Sequence, residues 1–284
     1  SGDWPTPRSN FGMAYDVARN VVVVFGGFQG SGDYLGDTWE WDGTQWEEKL
    51  PMQTPEDRLS PAFVSAGPNG LIMYGGYTED RNYVDDLWAW DGVDWSEVTC
   101  SEFPSPTRIG CPLAYDSARN RIVMFGGTDN GSRRLSDTWE WDGITWQHIE
   151  TDTIPDGKYG HVMVFDESRS RCVLFGGALN SSTNSAETWE YDGNDWTQIF
   201  PGNHPTERGF SAACYDTHRQ RIVLYGGYTW SGSNNETWEY RDAPPPTITP
   251  TPTVTPTITP TPIDGVQVTL NLPEETIHAG DSFY

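Results

Sequence analysis

Short apolar runs alternate with longer polar stretches along the chain at a fixed interval. Five runs stand out: Val-Val-Val-Val-Phe-Gly-Gly at 21–27, Gly-Leu-Ile-Met-Tyr-Gly-Gly at 70–76, Arg-Ile-Val-Met-Phe-Gly-Gly at 121–127, Arg-Cys-Val-Leu-Phe-Gly-Gly at 171–177 and Arg-Ile-Val-Leu-Tyr-Gly-Gly at 221–227. Their glycine pairs begin at 26, 75, 126, 176 and 226, a spacing of 49, 51, 50 and 50 residues. So regular a period marks one supersecondary unit copied in series. Each run is short, apolar and closed by Gly-Gly, and most are rich in β-branched residues, which predicts a buried strand rather than a helix.

Three further strands are predicted in each copy. Strand a covers 12–16, 112–116, 162–166 and 212–216, ending in an aromatic-Asp pair, with 62–66 as a degenerate copy. The apolar run is strand b. Strand c covers 37–41, 86–90, 137–141, 187–191 and 236–240. After four of these comes an Asp-Gly turn, a strong hairpin signal, and then strand d, opening at Trp46, Trp95, Trp146 or Trp196. Four short antiparallel strands per repeat, with aromatics at fixed offsets, predict an all-β propeller with five visible four-stranded blades. Of the 14 tryptophans only Trp4 and Trp230 fall outside the pattern, so the other twelve read as core between blades.

This pattern resembles the kelch repeat: strand b ending in Gly-Gly, an aromatic-Asp after strand c, and a Trp opening strand d. The resemblance spans residues 5–242. It implies a β-propeller, usually of six or seven blades, whose commonest role is binding other proteins. A few kelch-like propellers are enzymes, galactose oxidase and a sialic-acid epimerase among them. The family often has a His near the start of strand a; here only His161 holds that place, beside Phe11, Pro61, Cys111 and Ser211 in the other copies.

The fifth copy runs into proline without a strand d, so a closing strand is expected upstream of Ser1 and the chain reads as an internal fragment. The propeller is assigned to 1–243 and a Pro/Thr-rich linker to 244–262, a composition that favours extended, semi-rigid polyproline geometry. Residues 263–284 read as the truncated start of a second, β-sandwich-like domain. A spacer of this kind places the chain outside the cell or on its surface.

The formal charge of −24 argues against nucleic acid or an anionic membrane as partner, and no apolar run is long enough to cross a bilayer. Cys172 and Cys214 read as small buried hydrophobes, whereas Cys100 and Cys111 either stay free or, in an oxidising compartment, close a disulfide. No phosphate loop, nucleophile elbow or metal-ligand spacing is visible, so no cofactor is expected.

Antiparallel order puts the b–c and d–a connections on one face of the propeller. The b–c loops differ in every copy, and variable loops on a repeated scaffold are where specificity resides. Their aromatics Phe28, Tyr34, Tyr77, Tyr83, Tyr228 and Trp230 are therefore candidate ligand contacts, against the alternative that they only pack the loops down. Arg8, Arg58, Arg108, Lys158 and Arg208 recur where strand a begins and would form an anion site if unpaired. Each copy also carries an acid at the start of strand c (Asp37, Asp86, Asp137, Glu187, Glu236), so structural ion pairs are expected instead. A second coupling is expected between Arg19, Arg119, Arg169 and Arg219 and the strand c residues Glu40, Glu140, Glu190 and Glu239. Copy 2 lacks both partners, having Pro68 and Ala89. Asn130, Asn180 and Asn235 begin Asn-x-Ser/Thr glycosylation motifs.

The functional expectation is a non-enzymatic module recognising a protein or glycan through its loop face. A carbohydrate-active enzyme and a structural spacer are the alternatives.

Overall fold

A computed structural model describes residues 4–241 except 31, 68, 69, 81 and 130–132. The chain divides into Ser1–Arg241 and Asp242–Tyr284. The linker, the second-domain assignment, Pro68 and Asn130 lie outside the described residues.

Five antiparallel sheets follow one another. Blade 1 has strands a Gly12–Asp16, b Val21–Phe28, c Tyr34–Trp41 and d Trp46–Lys49. Blade 2 has Ala62–Ser65, Leu71–Thr78, Tyr83–Trp90 and Trp95–Glu97, with the short Arg58–Leu59 added to the end of b. Blade 3 has Leu113–Asp116, Arg121–Phe125, Thr138–Trp141 and Trp146–Ile149. Blade 4 has Val162–Asp166, Arg171–Phe175, Thr188–Tyr191 and Trp196–Ile199. Blade 5 stops at three strands, Ala212–Asp216, Arg221–Tyr225 and Thr237–Tyr240. Each a strand packs on the next from blade 1 to blade 5, and among the described residues no packing of that extent returns from blade 5 to blade 1. On the two end blades, Met13 and Tyr225 are 59% and 46% exposed. Trp4 lies against Trp41 on the blade 1 end, ring centroids 6.2 Å apart.

The glycine pairs adopt a backbone that side chains rarely take, and in blades 3 to 5 strand b ends at them. Gly176 has φ +72°, and a Cβ there would sit 2.5 Å from the Arg208 carbonyl oxygen. In blades 1 and 2 the register shifts at this point and the two strands continue as a hairpin, so c begins at Tyr34 and Tyr83, three residues before the sequence-based start.

Apolar clusters fill the seams between blades, and the tryptophans opening strand d in blades 2, 3 and 4 are 1% exposed. The ring donors at the end of strand c and the start of strand d reach back to the preceding blade. From blade 2, Trp90 Nε1 donates to Glu40 Oε1 (2.9 Å) and Trp95 Nε1 to Thr38 Oγ1 (2.9 Å) of blade 1. From blade 4, the Tyr191 hydroxyl donates to Glu140 (2.8 Å) and Trp196 Nε1 to Thr138 Oγ1 (2.9 Å) of blade 3. The Tyr240 hydroxyl of blade 5 donates to Glu190 at 2.6 Å. Blade 2 offers Leu87 and Ala89 at the acceptor positions, and the buried indole N–H groups of Trp141 and Trp146 find no oxygen acceptor. Thr138→Val keeps the shape of the 3–4 seam but strands the Trp196 N–H; a loss of about 1–3 kcal/mol in urea unfolding is expected. An unchanged midpoint would show that the bond contributes nothing net.

The expected Arg–Glu bridges form in four blades: Arg19–Glu40 at 2.5 Å, Arg119–Glu140 at 2.7 Å, Arg169–Glu190, and Arg219–Glu239 at 2.7 Å. Each arginine also binds the Asp that ends its own strand a, at 2.6–2.9 Å. These charges tie the a–b turn to strand c. All four cysteines are free thiols, Cys172 buried and Cys214 half-buried. Burial pushes the Cys111 thiol up to about 11.

Candidate functional site

The bases that open strand a are held inside their blades. Arg8 grips Asp37 at 2.5 and 2.7 Å, Arg58 grips Asp86 at 2.5 and 2.8 Å, and Arg108 grips Asp137 at 2.6 and 2.8 Å. Lys158 reaches Glu187 at 3.0 Å and Arg208 reaches Glu236 at 2.8 Å. In the four arginine blades the guanidinium also donates to the carbonyl of the first glycine of the pair, at 3.0–3.2 Å. The Trp two residues after each acid donates its indole N–H to the same carboxylate. Burial would raise the Asp137 pKa, but Arg108 and Trp139 outweigh it and hold the carboxyl below the ordinary range. Five positive charges are thus matched by five acids, and this ring anchors the loops above it.

The segment carrying each base bridges to the residue that follows the glycine pair, at Ser9–Phe28, Leu59–Tyr77, Ile109–Thr128, Tyr159–Ala178 and Gly209–Tyr228. The b–c excursion therefore starts from a fixed point in every blade. Across blades 1 and 2 its aromatics form one row: Phe28 to Tyr34 at 5.8 Å, Tyr34 to Tyr77 at 6.2 Å and Tyr77 to Tyr83 at 5.2 Å. These four are half-buried, with Phe28–Tyr34 and Tyr77–Tyr83 edge to face and Tyr34–Tyr77 tilted. Burial raises the Tyr83 phenol, and Tyr77, Asp129 and Tyr159 raise it further against the opposing charge of Arg134. Tyr83 therefore senses groups on blades 2, 3 and 4.

Beyond Tyr83 the aromatic surface continues on residues that the sequence analysis did not single out. The Arg134 guanidinium lies 4.2 Å over the Tyr159 ring, which meets Phe210 edge to face at 5.4 Å. Phe210 is 57% exposed and has φ +58°. Asn10, Ser60, Gly110 and Gly160 hold the same position, all with positive φ. Asn and Gly tolerate that conformation, whereas a bulky aromatic there is an outlier. These residues link blade to blade along the inner rim, Ser60 N donating to Asn10 O (2.6 Å), Gly160 N to Gly110 O (2.9 Å) and Phe210 N to Gly160 O (2.6 Å). Gly160 is needed for the Phe210 ring to lie flat on it, since a Cβ there would sit 2.6 Å from that ring. A Phe where the other copies have small or polar residues was the available signal.

Tyr228 and Trp230 stand apart on blade 5, edge to face at 6.0 Å and 44% and 47% exposed. Around the row, Glu79, Asp80 and Asp85 are exposed, as is Arg133 on the b–c loop of blade 3, so the face carries charges of both signs. Among the described residues no group of three or more His, Cys, Asp and Glu is placed to hold a metal ion.

A family model described as the KLHDC2/KLHL20/DRC7 Kelch-repeats domain matches residues 1–151 and 71–243. No curated protein matches the chain closely enough to serve as a relative.

Proposed function

From the premise that this chain belongs to the kelch-repeat family, whose propellers typically bind proteins, we propose that it is a non-enzymatic module that takes a protein partner on its loop face. The observation that carries this reading is the aromatic rim. Rings from four blades, Phe28 through Tyr83 and on to Tyr159 and Phe210, lie on one side of a rigid scaffold. Phe210 is held there in a backbone conformation that favours glycine. A strained, exposed aromatic is an expensive way to fill a turn, and strain of this kind collects at binding sites. Large rigid aromatics are also the usual anchors of protein interfaces. The Pro/Thr tract supports a place outside the cell or on its surface.

Peptides selected from a display library on the wild-type chain test the reading. They should bind Phe210→Gly and Tyr83→Ala at least tenfold more weakly, as loss of one anchor of about 2 kcal/mol implies. Phe210→Gly restores the residue type of blades 3 and 4, so it should fold at least as well as wild type. Selected peptides indifferent to both variants would end the loop-face assignment. The exposed Tyr228–Trp230 pair, flanked by the bonded hydroxyls of Thr229 and Ser231, favours a second reading, a glycan stacked on blade 5. Glycan-array binding lost in Trp230→Ala would support it.

A further inference from the structure

The outer ends of the 1–2 and 3–4 seams share one backbone plan but carry different side chains. In the 1–2 seam the linker after strand d is pinned to the next blade, the amide of Gln53 donating to Asp94 Oδ1 at 2.8 Å. In the 3–4 seam the amide of Thr153 donates to Asp195 Oδ1 at 2.8 Å. Burial along the two linkers also matches: Pro51 and Thr151 are half-buried, the next three residues are exposed, and Pro55 and Pro155 are buried. Leu50, Met52 and Val93 stand out on this frame at 86%, 97% and 75% exposed. Their counterparts in the 3–4 seam are the exposed polar residues Glu150, Asp152 and Asn194, with Ile154 the one exposed large apolar residue of that linker. The 2–3 seam has Thr99, Ser101 and Ile144 at these places. The fold therefore accepts charged and polar residues here, and three apolar side chains so exposed add nothing to the core. Apolar side chains gathered in water where the scaffold does not need them mark an interaction surface.

The charges around these three residues select the occupant. Glu47, Glu48, Glu56 and Asp91 are exposed on the same segments, and Asp94 lies half-buried next to Val93. The amides of Asp94 and Val93 donate to the Asp91 carboxylate and hold it below its ordinary range. Among the described residues the bases on or beside these segments are already paired. Lys49 lies 3.2 Å from Glu47 and 3.6 Å from Glu40. Arg19, beside Gly92, lies 2.7 Å from Asp16 and 2.5 Å from Glu40. A second copy of the chain or an anionic lipid surface would therefore bring like charge against this rim. We propose that the outer 1–2 seam is a second docking surface, on which a partner protein seats an apolar side chain among Leu50, Met52 and Val93 and sets Lys or Arg against the acids around them. It is separate from the aromatic rim. That rim lies where strand b gives way to strand c, whereas Val93 sits in the turn between strands c and d, at the other end of the sheet.

The probes are short peptides selected from a random display library on the full 284-residue chain. They are compared on a variant carrying Leu50→Glu, Met52→Asp and Val93→Asn, the residues that the 3–4 seam has on the same backbone plan. One class of peptides should carry Lys or Arg beside apolar residues and lose affinity as salt is raised. That class should bind the triple variant at least tenfold more weakly than wild type. The exchange adds negative charge, so weaker binding of a basic peptide reports the lost apolar contact. The same peptides should bind Phe210→Gly and Tyr83→Ala as they bind wild type, which separates this surface from the loop face and lets either assignment fail alone. Met52→Asp by itself repeats the comparison if the triple variant does not fold. A selection yielding no peptide sensitive to these exchanges would overturn the proposal, as would sensitive peptides without basic residues. So would a wild-type dimer in light scattering that the triple variant abolishes, since a second copy would then be the occupant.

Discussion

Arg108→Met is expected to destabilise the chain by about 3–5 kcal/mol, the range for removing one partner of a buried ion pair. The Arg108 side chain is fully buried and holds Asp137 through two bonds, together with the carbonyls of Gly126 and Pro106. Met fills most of the volume but leaves those oxygens facing apolar atoms. Arg108→Lys alone should recover little, because a compact ammonium cannot span a carboxylate as the planar guanidinium does. Blade 4 shows the compatible pairing, where Lys158 meets the longer Glu187 at 3.0 Å. Arg108→Lys combined with Asp137→Glu should therefore regain much of the loss. Urea unfolding followed by tryptophan fluorescence measures both variants. A stability change under 1 kcal/mol in Arg108→Met would mean that the base is not structural, and the anion-site reading of the five bases would return.

Between about pH 6.5 and pH 5 the chain should lose about 2 kcal/mol of stability through one residue, His161. Its ring is fully enclosed, edge to face with Phe125 at 5.7 Å, and the Phe125 backbone, the one group beside it that favours the protonated ring, is outweighed. Burial, followed by the nearby Lys158 charge, lowers its pKa from 6.5 to about 3. The folded imidazole therefore stays neutral while the unfolded one takes up a proton as pH falls through 6.5. The unfolded state binds more protons across that window, so stability declines on acidification until the folded ring titrates near 3. His148, His204 and His218 are exposed. The depressed carboxylates, Asp37, Asp137 and Glu187 among them, add to the decline only below their ordinary values of 3.8 to 4.5. His161→Phe, which borrows the residue that blade 1 has at this position, should flatten the profile between pH 7 and pH 5. An unchanged slope in that variant would assign the titration elsewhere.

The blade strands and the within-blade ion pairs were legible because five copies of one unit can be compared inside one chain. Arg19 and Glu40 recur together in four copies and vanish together in the second, which is what contact between them produces. The cross-blade bonds were not legible. Glu40 meets Trp90 and Thr38 meets Trp95 roughly a full period away, and nothing in a single repeat says which copy supplies the partner. The hairpin extensions of blades 1 and 2 were read as loops, because the bulge at the glycine pair breaks the alternation that marks a strand. Among the candidate contacts, Phe28, Tyr34, Tyr77 and Tyr83 form one row and Tyr228 and Trp230 a separate pair. Tyr159 and Phe210 escaped notice because they sit in the turn before strand a, outside the variable loops. The interval of one repeat between Asn10, Ser60, Gly110, Gly160 and Phe210 was in view, but its meaning depends on a positive φ that residue types alone only hint at.

The direction of the seam bonds bears on how such a chain changes length. Blades 1, 3 and 4 offer side-chain acceptors to the ring donors of their successors, and blades 2, 3 and 4 each present two ring donors to their predecessor. Donor and acceptor are thus interchangeable couplings rather than a lock cut for one neighbour. If the second repeat were excised, Trp141 and Trp146 would come to face Glu40 and Thr38, the kinds of group they lack beside Ala89 and Leu87. The seams police orientation and leave the number of modules free, so a lineage can gain or lose one without redesigning any joint.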